Sequence, residues 1–133
     1  MQRIYPYLLY EDMTEVPDFL TRAFGFRKVE PRAVPDGHHH HTHVEMELDD
    51  GSRIRMTQPA NGYRSPRSTG NASVMIQVDV DDIDAHFTRA KAAGATIVRP
   101  LQERRYGDRG YMADDLEGHR WYFIQSASEA TDE

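Results

Sequence analysis

The sequence predicts an α+β domain built from two βαβββ modules, and three observations predict it. The stretch DGSRIRM, residues 50–56, and the stretch EGHRWYF, residues 117–123, both write an acid, a glycine, one variable residue, an arginine and an alternating run, 67 residues apart. The same offset lays Thr21-Arg22-Ala23 over Thr88-Arg89-Ala90. Each half also reads in one order of hydrophobic patterns: strand, helix, strand, strand, strand. An internal duplication accounts for all three.

The elements follow in order. Residues 4–10, IYPYLLY, are a short aromatic and aliphatic run that predicts a strand. In MTEVPDFLTRAFG, Val16, Phe19, Leu20, Ala23 and Phe24 recur at the spacing of one helix face, Pro17 lies in the first turn, and Gly25 supplies the stop. FRKVEPRAV predicts an irregular strand and VPDGHHHHT a loop. HVEMELDDGSRIRMTQ predicts a hairpin turning at Asp49-Asp50-Gly51, where glycine is free to take positive φ. PANGYRSPRSTGNA has no hydrophobic periodicity and marks an exposed connection.

The second half repeats the order. SVMIQVDV is a strand, and DDIDAHFTRAKAAG is a helix with Asp81-Asp82 at its start, Ile83, Phe87, Ala90 and Ala93 inward, and Gly94 at its end. ATIVRPL is a strand and YGDRG a turn, and GYMADDLEGHRWYFIQ is a strand pair turning at Leu116-Glu117-Gly118. The chain thus divides into module one (3–58), a linker (59–72), module two (73–125) and a tail (126–133) expected to be disordered, within one domain, 1–133.

Composition limits the function classes. At 133 residues the chain has room for one core, and no segment approaches the roughly 18 apolar residues of a membrane span. The N-terminus lacks the basic start, apolar run and cleavage site of a signal peptide, which predicts a cytoplasmic protein. Zero cysteines exclude disulfides, thiolate catalysis and cysteine-ligated zinc. A net charge of −6 argues against general nucleic-acid binding and favours, weakly, cationic ligands.

Strand alternation sorts residues into two faces. The apolar row is Val44, Met46, Leu48, then Ile54, Met56, then Trp121, Phe123, and it should pack on the helices. The opposite row is His43, Glu45, Glu47, then Arg53, Arg55, Thr57, then Met75, Gln77, Asp79, then Arg120, Tyr122, Ile124. A three-residue hairpin loop at 49–51 sets Glu45 opposite Arg55 and Glu47 opposite Arg53. Taken alone, that row reads first as a solvated sheet face.

The element order, with YPYLLYEDMTEVPDFLTRAFGF, YRSPRSTGNASV and VDDIDAHFTRAKAAGATIVRPLQERRYGDRGYMADDLEGHRWYF, resembles the vicinal-oxygen-chelate superfamily of glyoxalases, bleomycin-resistance proteins and extradiol dioxygenases across residues 3–125. The resemblance implies the glyoxalase/bleomycin-resistance fold, in which each module curls its mixed sheet into half a cup. Helices cover the convex side, and the polar row lines the pocket. It also implies a homodimer, for which exposed Tyr63, Tyr106 and Tyr111 are candidate interface residues.

Metal-dependent relatives place one ligand on the first and last strand of each module. Carried over on the motifs, those positions are Tyr5, Arg55, Met75 and Tyr122. A guanidinium cannot bind a cation, and thioether and phenol are poor partners for divalent metals. No cofactor is therefore expected. The run HHHHTH, residues 38–43, reads first as a solvated histidine-rich loop. Two alternatives stay open: His39, His41 and His43 beside Glu45 as zinc or nickel ligands, although same-face neighbours lie roughly 6.5 Å apart, or His43 at the pocket rim.

What remains is an aromatic pocket. Tyr5, Tyr7 and Tyr122 with Arg55, Thr57, Gln77 and Arg109 are the candidate ligand-binding residues. Two functions follow. One is a bleomycin-resistance-type protein that sequesters an aromatic or cationic small molecule. The other is a glyoxalase-like lyase or isomerase, or another enzyme of this superfamily, metal-independent or on a non-standard metal site, with His43 or Glu45 as general base and Arg55 stabilising an oxyanion. Binding is the preferred expectation, because Arg55 occupies Glu45. His119, after the last turn, is expected to face solvent or the opposite face, and Asp108 and Arg109 read first as holding a turn, with pocket binding by Arg109 as the alternative.

Overall fold

Each half of the chain folds in the same way. The computed structural model describes residues 2–30 and 43–127, so His38 to His41 and the end of the tail lie outside the described residues. Module one contains β1 (Tyr7–Leu9), α1 (Glu15–Phe24), β2 (Arg27–Val29), β3 (His43–Glu47) and β4 (Arg53–Thr57). A short helix α2 (Pro66–Thr69) follows. Module two contains β5 (Met75–Asp79), α3 (Ile83–Ala92), β6 (Thr96–Glu103), β7 (Arg109–Asp114) and β8 (Arg120–Gln125).

The strand orders are the same: β1-β4-β3-β2 in one four-stranded sheet and β5-β8-β7-β6 in the other. In both, the first strand runs parallel to the last and the other pairs are antiparallel. The expected register is present, with Glu45 opposite Arg55 and Glu47 opposite Arg53. Gly51, at φ 92°, makes the hairpin turn possible, since L-residues rarely adopt that conformation. Pro100 is accommodated because β6 is an edge strand with register shifts between residues 97 and 102.

Helix α1 presents Val16, Phe19, Leu20, Ala23 and Phe24 to the core, all buried, and ends at Gly25 in the left-handed conformation. Helix α3 starts on Asp82, whose carboxylate accepts from Ala85 N at 3.1 Å. Both helices and both apolar sheet faces meet in one cluster. Phe24 of module one lies 4.7 Å from Phe123 and 5.4 Å from Trp121 of module two, ring centre to ring centre. Arg89 on α3 donates to the backbone oxygens of Arg22 and Thr21, both at 2.8 Å, where the C-terminal end of α1 attracts a cation.

The turn after β7 locks the modules together. Asp115 is buried and accepts from Tyr10 Oη at 2.5 Å and Trp121 Nε1 at 3.0 Å. Burial pushes the Tyr10 hydroxyl well above its ordinary pKa, and the neighbouring carboxylate adds to that. Glu117, also buried, accepts from the backbone N–H groups of Glu11 and Asp12, both at 2.7 Å. His119 does not face solvent: its Nε2 lies 2.7 Å from Leu9 O and its ring tilts against Tyr10.

Two further expectations are corrected. The linker is not featureless, because Ser65 caps α2, accepts from Ser68 N at 3.3 Å, and is buried while donating to Glu11 at 2.5 Å. A helix of four residues is too short to show periodicity. Tyr111 is fully buried, on the same strand face as Ala113, with its hydroxyl 2.6 Å from His86 Nδ1. Only Tyr63 and Tyr106 of the three proposed interface tyrosines are exposed. No helix among the described residues is long and apolar enough to cross a membrane.

Candidate functional site

Because the apolar faces of both sheets share one core, both polar rows turn away from it. Module one's row is a ladder of alternating charge. Arg27 pairs with Glu47; Arg53 reaches Glu47 at 2.7 Å and Glu45 at 2.6 Å; Arg55 holds the other oxygen of Glu45 at 3.0 Å. The guanidinium of Arg55 then sits 4.1 Å above the ring centre of Tyr5. Beside it Tyr7, half exposed, has its hydroxyl 2.9 Å from His43 Nδ1. Thr57 stands opposite His43 in the register.

Module two's row is less charged. Met75, Gln77 and Asp79 on β5 stand opposite Arg120, Tyr122 and Ile124 on β8, with Met112 and Asp114 beyond. Gln77 donates to Asp79 at 3.1 Å, and Arg120 pairs with Asp114 at 2.9 Å. Arg104, just past β6, places its guanidinium 5.2 Å from the ring centre of Tyr122.

The candidate residues are therefore brought together in two groups. Tyr7, His43, Glu45, Arg55 and Thr57 lie on one sheet, with Tyr5 just before β1 under Arg55, and Gln77 and Tyr122 lie on the other. Arg109 joins neither group, and this corrects the expectation. It stands opposite Gln125, on the helix-side face with Tyr111 and Phe123, and makes a two-pronged contact with Asp84 at 2.7 and 3.0 Å. That contact holds Asp84 below the ordinary carboxylate range.

Two residues of the polar faces were missed. Arg104 is one of three arginines in ERRYGDR, and nothing in the pattern distinguishes it. Gly110 stands opposite Ile124 beside the Tyr122 ring: a Cβ there would lie 2.8 Å from Phe123 O, which is backbone, and 3.3 Å from both Ile124 Cγ1 and Tyr122 Cε1. We expect Gly110→Ala to shift β7 against β8 and lower stability by about 1–3 kcal/mol. Thermal unfolding checks this; an unchanged midpoint would show that the strands absorb the methyl group.

The family positions for a metal do not suit one. Arg55 covers Tyr5 and is held by Glu45, Tyr122 lies against Arg104, and Met75 offers only a thioether. Among the described residues no three His, Asp or Glu side chains are grouped to hold a metal ion. A cleft of about 420 Å³ lies elsewhere, between Glu11, Gln58, Tyr63, Arg64 and Ser65 at the linker. It is wide open to solvent.

Comparison with known proteins gives the wider setting. Residues 5–123 match the model of the Glyoxalase/Bleomycin resistance protein/Dioxygenase superfamily. The uncharacterized protein Rv0887c of Mycobacterium tuberculosis is 32% identical over 129 residues, covering 93% of this chain and 74% of that one. Among solved structures, TioX from Micromonospora sp. ML1 is 32% identical with a TM-score of 0.71, covering 96% of this chain and 98% of that chain. TnmS3, an antibiotic binding protein from Streptomyces sp. CB03234, is similar in fold alone, at 14% identity and a TM-score of 0.72, covering 96% of this chain and 98% of that one. With nearly its whole length matched and the paired βαβββ sheets in place, this chain belongs to the glyoxalase/bleomycin resistance/dioxygenase superfamily.

Proposed function

We propose that the protein is a homodimeric small-molecule-binding protein that holds an aromatic organic compound without converting it. In this reading the polar face of module one in one subunit meets the polar face of module two in the other. The ligand then lies between Tyr5, Tyr7 and Arg55 on one wall and Met75, Gln77 and Tyr122 on the other. The observation that carries it is the outward turn of both aromatic-bearing rows, with Tyr7 50% and Met75 47% exposed in a single chain. Both oxygens of Glu45 are taken by arginines, which supports binding over base catalysis by that residue. The antibiotic binding described for TnmS3 makes sequestration of an antibiotic-like compound the natural role to test.

Complementation tests the shared site. Tyr5→Ala spoils one wall and Tyr122→Ala the other, each expected to weaken binding about tenfold. Mixing the two variants and allowing subunits to exchange should regenerate tight sites, because each heterodimer has one pair of intact walls. If the mixture binds no better than either variant, the shared site is wrong.

The contact between Tyr7 and His43 favours a second reading, a metal-independent lyase or isomerase using His43 as base beside Arg55. His43→Gln separates the two: lost turnover with retained binding would support the enzyme.

A further inference from the structure

Arg55 and Tyr122 hold equivalent places in the two modules. They are 67 residues apart, and each stands on the last strand facing the first, Arg55 opposite Tyr7 and Tyr122 opposite Gln77. At both places a tyrosine ring is covered by a guanidinium group, with the roles exchanged. In module one the strand supplies the cation and the segment before β1 supplies the ring of Tyr5, 4.1 Å away. In module two the strand supplies the ring, and Arg104 comes over it at 5.2 Å.

We infer that the compound held between these faces is a flat aromatic acid rather than a cation. The inference rests on the binding reading above and deepens it. A cationic ligand seeks open aromatic faces, yet Tyr5 and Tyr122 each already carry a cation. It would meet like charge at both walls. A planar guanidinium lying on a ring instead offers its outer face for stacking and its N–H edge for a carboxylate.

The charge balance points the same way. Module one's ladder sets three arginines, Arg27, Arg53 and Arg55, against two glutamates, and both glutamates are fully engaged. In module two Asp114 is taken by Arg120, whereas Arg104 has no carboxylate partner among the described residues. Asp79 is the opposing charge, but it lies one step along β5, beside Ile124, and accepts from Gln77. A chain of net charge −6 thus gathers an excess of guanidinium at its aromatic polar faces.

Titration calorimetry of the untagged full-length protein with three matched probes tests this: 2-naphthoate, 2-naphthamide and 2-naphthylmethylammonium. The acid is expected to bind about tenfold tighter than the neutral amide, the scale of one charge-assisted hydrogen bond, with the ammonium weakest. Arg104→Gln, a surface change whose folding is checked by its unfolding midpoint, should bring the acid-to-amide ratio close to one. If the amide or the ammonium binds as tightly as the acid, the inference falls and the binding reading stands. An acid preference that survives both Arg104→Gln and Arg55→Gln overturns the assignment to these two platforms. If none of the probes binds saturably, the binding reading falls and the inference with it.

Discussion

Replacing Asp115 by alanine is expected to remove about 4 kcal/mol of folding stability, a large part of what a domain of this size possesses. The carboxylate is buried and accepts four donors: Tyr10 Oη, Trp121 Nε1, and the backbone N–H groups of Glu117 at 3.0 Å and His119 at 3.1 Å. Alanine leaves all four without an acceptor in a site water does not reach. It also frees the turn that places Glu117 against Glu11 and Asp12, so the joint between the modules loosens. Asparagine should be intermediate. Its oxygen can serve one side, and Tyr10 can turn its hydroxyl to accept from the new amide, but Trp121 Nε1 can only donate. The neighbouring Asp114 is the control: its pair with Arg120 is partly exposed, and Asp114→Ala should cost less than about 1 kcal/mol. Urea unfolding decides; equal losses at 114 and 115 would remove the clamp from the account.

The titration of His86 is expected to destabilise the protein as pH falls from 6.5 toward 4. His86 lies among Phe24, Tyr111 and Phe123, with ring centres 6.3, 5.8 and 4.2 Å away. Its Nδ1 meets Tyr111 Oη, and its Nε2 is buried with no hydrogen-bond partner among the described residues. Burial, with a smaller contribution from Arg89, lowers its pKa from 6.5 to about 4. The folded protein therefore keeps His86 neutral, while the unfolded chain takes up a proton below pH 6.5. This contribution to stability is complete above pH 6.5 and is lost as pH falls toward 4, on the order of 3 kcal/mol in all. Asp12, Asp50 and Asp84, all lowered from 3.8, act in a separate and more acidic window, since each keeps its stabilising effect above 3.8. His86→Gln keeps an acceptor for Tyr111 and removes the titration. Its stability should be flat between pH 7 and 4.5, where the parent declines; parallel declines would assign the effect elsewhere.

Much of the fold was legible because the duplicated module writes its signals twice. DGSR and EGHR mark equivalent hairpin ends, and alternation in HVEMEL and RIRMT put Met46, Ile54 and Met56 in the core and Glu45 opposite Arg55. Long-range uses of polar side chains were not legible. Asp115, Glu117 and His119 sit in a turn, where sequence marks a reversal of direction but not the segment that docks on it. Arg109 was misplaced because Arg109, Tyr111 and Ala113 alternate with Gly110, Met112 and Asp114, and neither set is plainly apolar. Only packing against α3 decides between them. Arg104 depends on how the chain leaves β6, through Tyr106 at φ 62° and Gly107 at φ 82°, and no periodicity encodes that path.

In the proposed function, two subunits join unlike polar faces around an organic molecule that leaves unchanged. Native mass spectrometry of untagged protein, purified without a nickel column and exposed to cell extract, tests it most directly. The predicted result is a dimer that gains the mass of an organic compound, released on denaturation at the same mass. A monomer, or a dimer that returns a compound of altered mass, would contradict it.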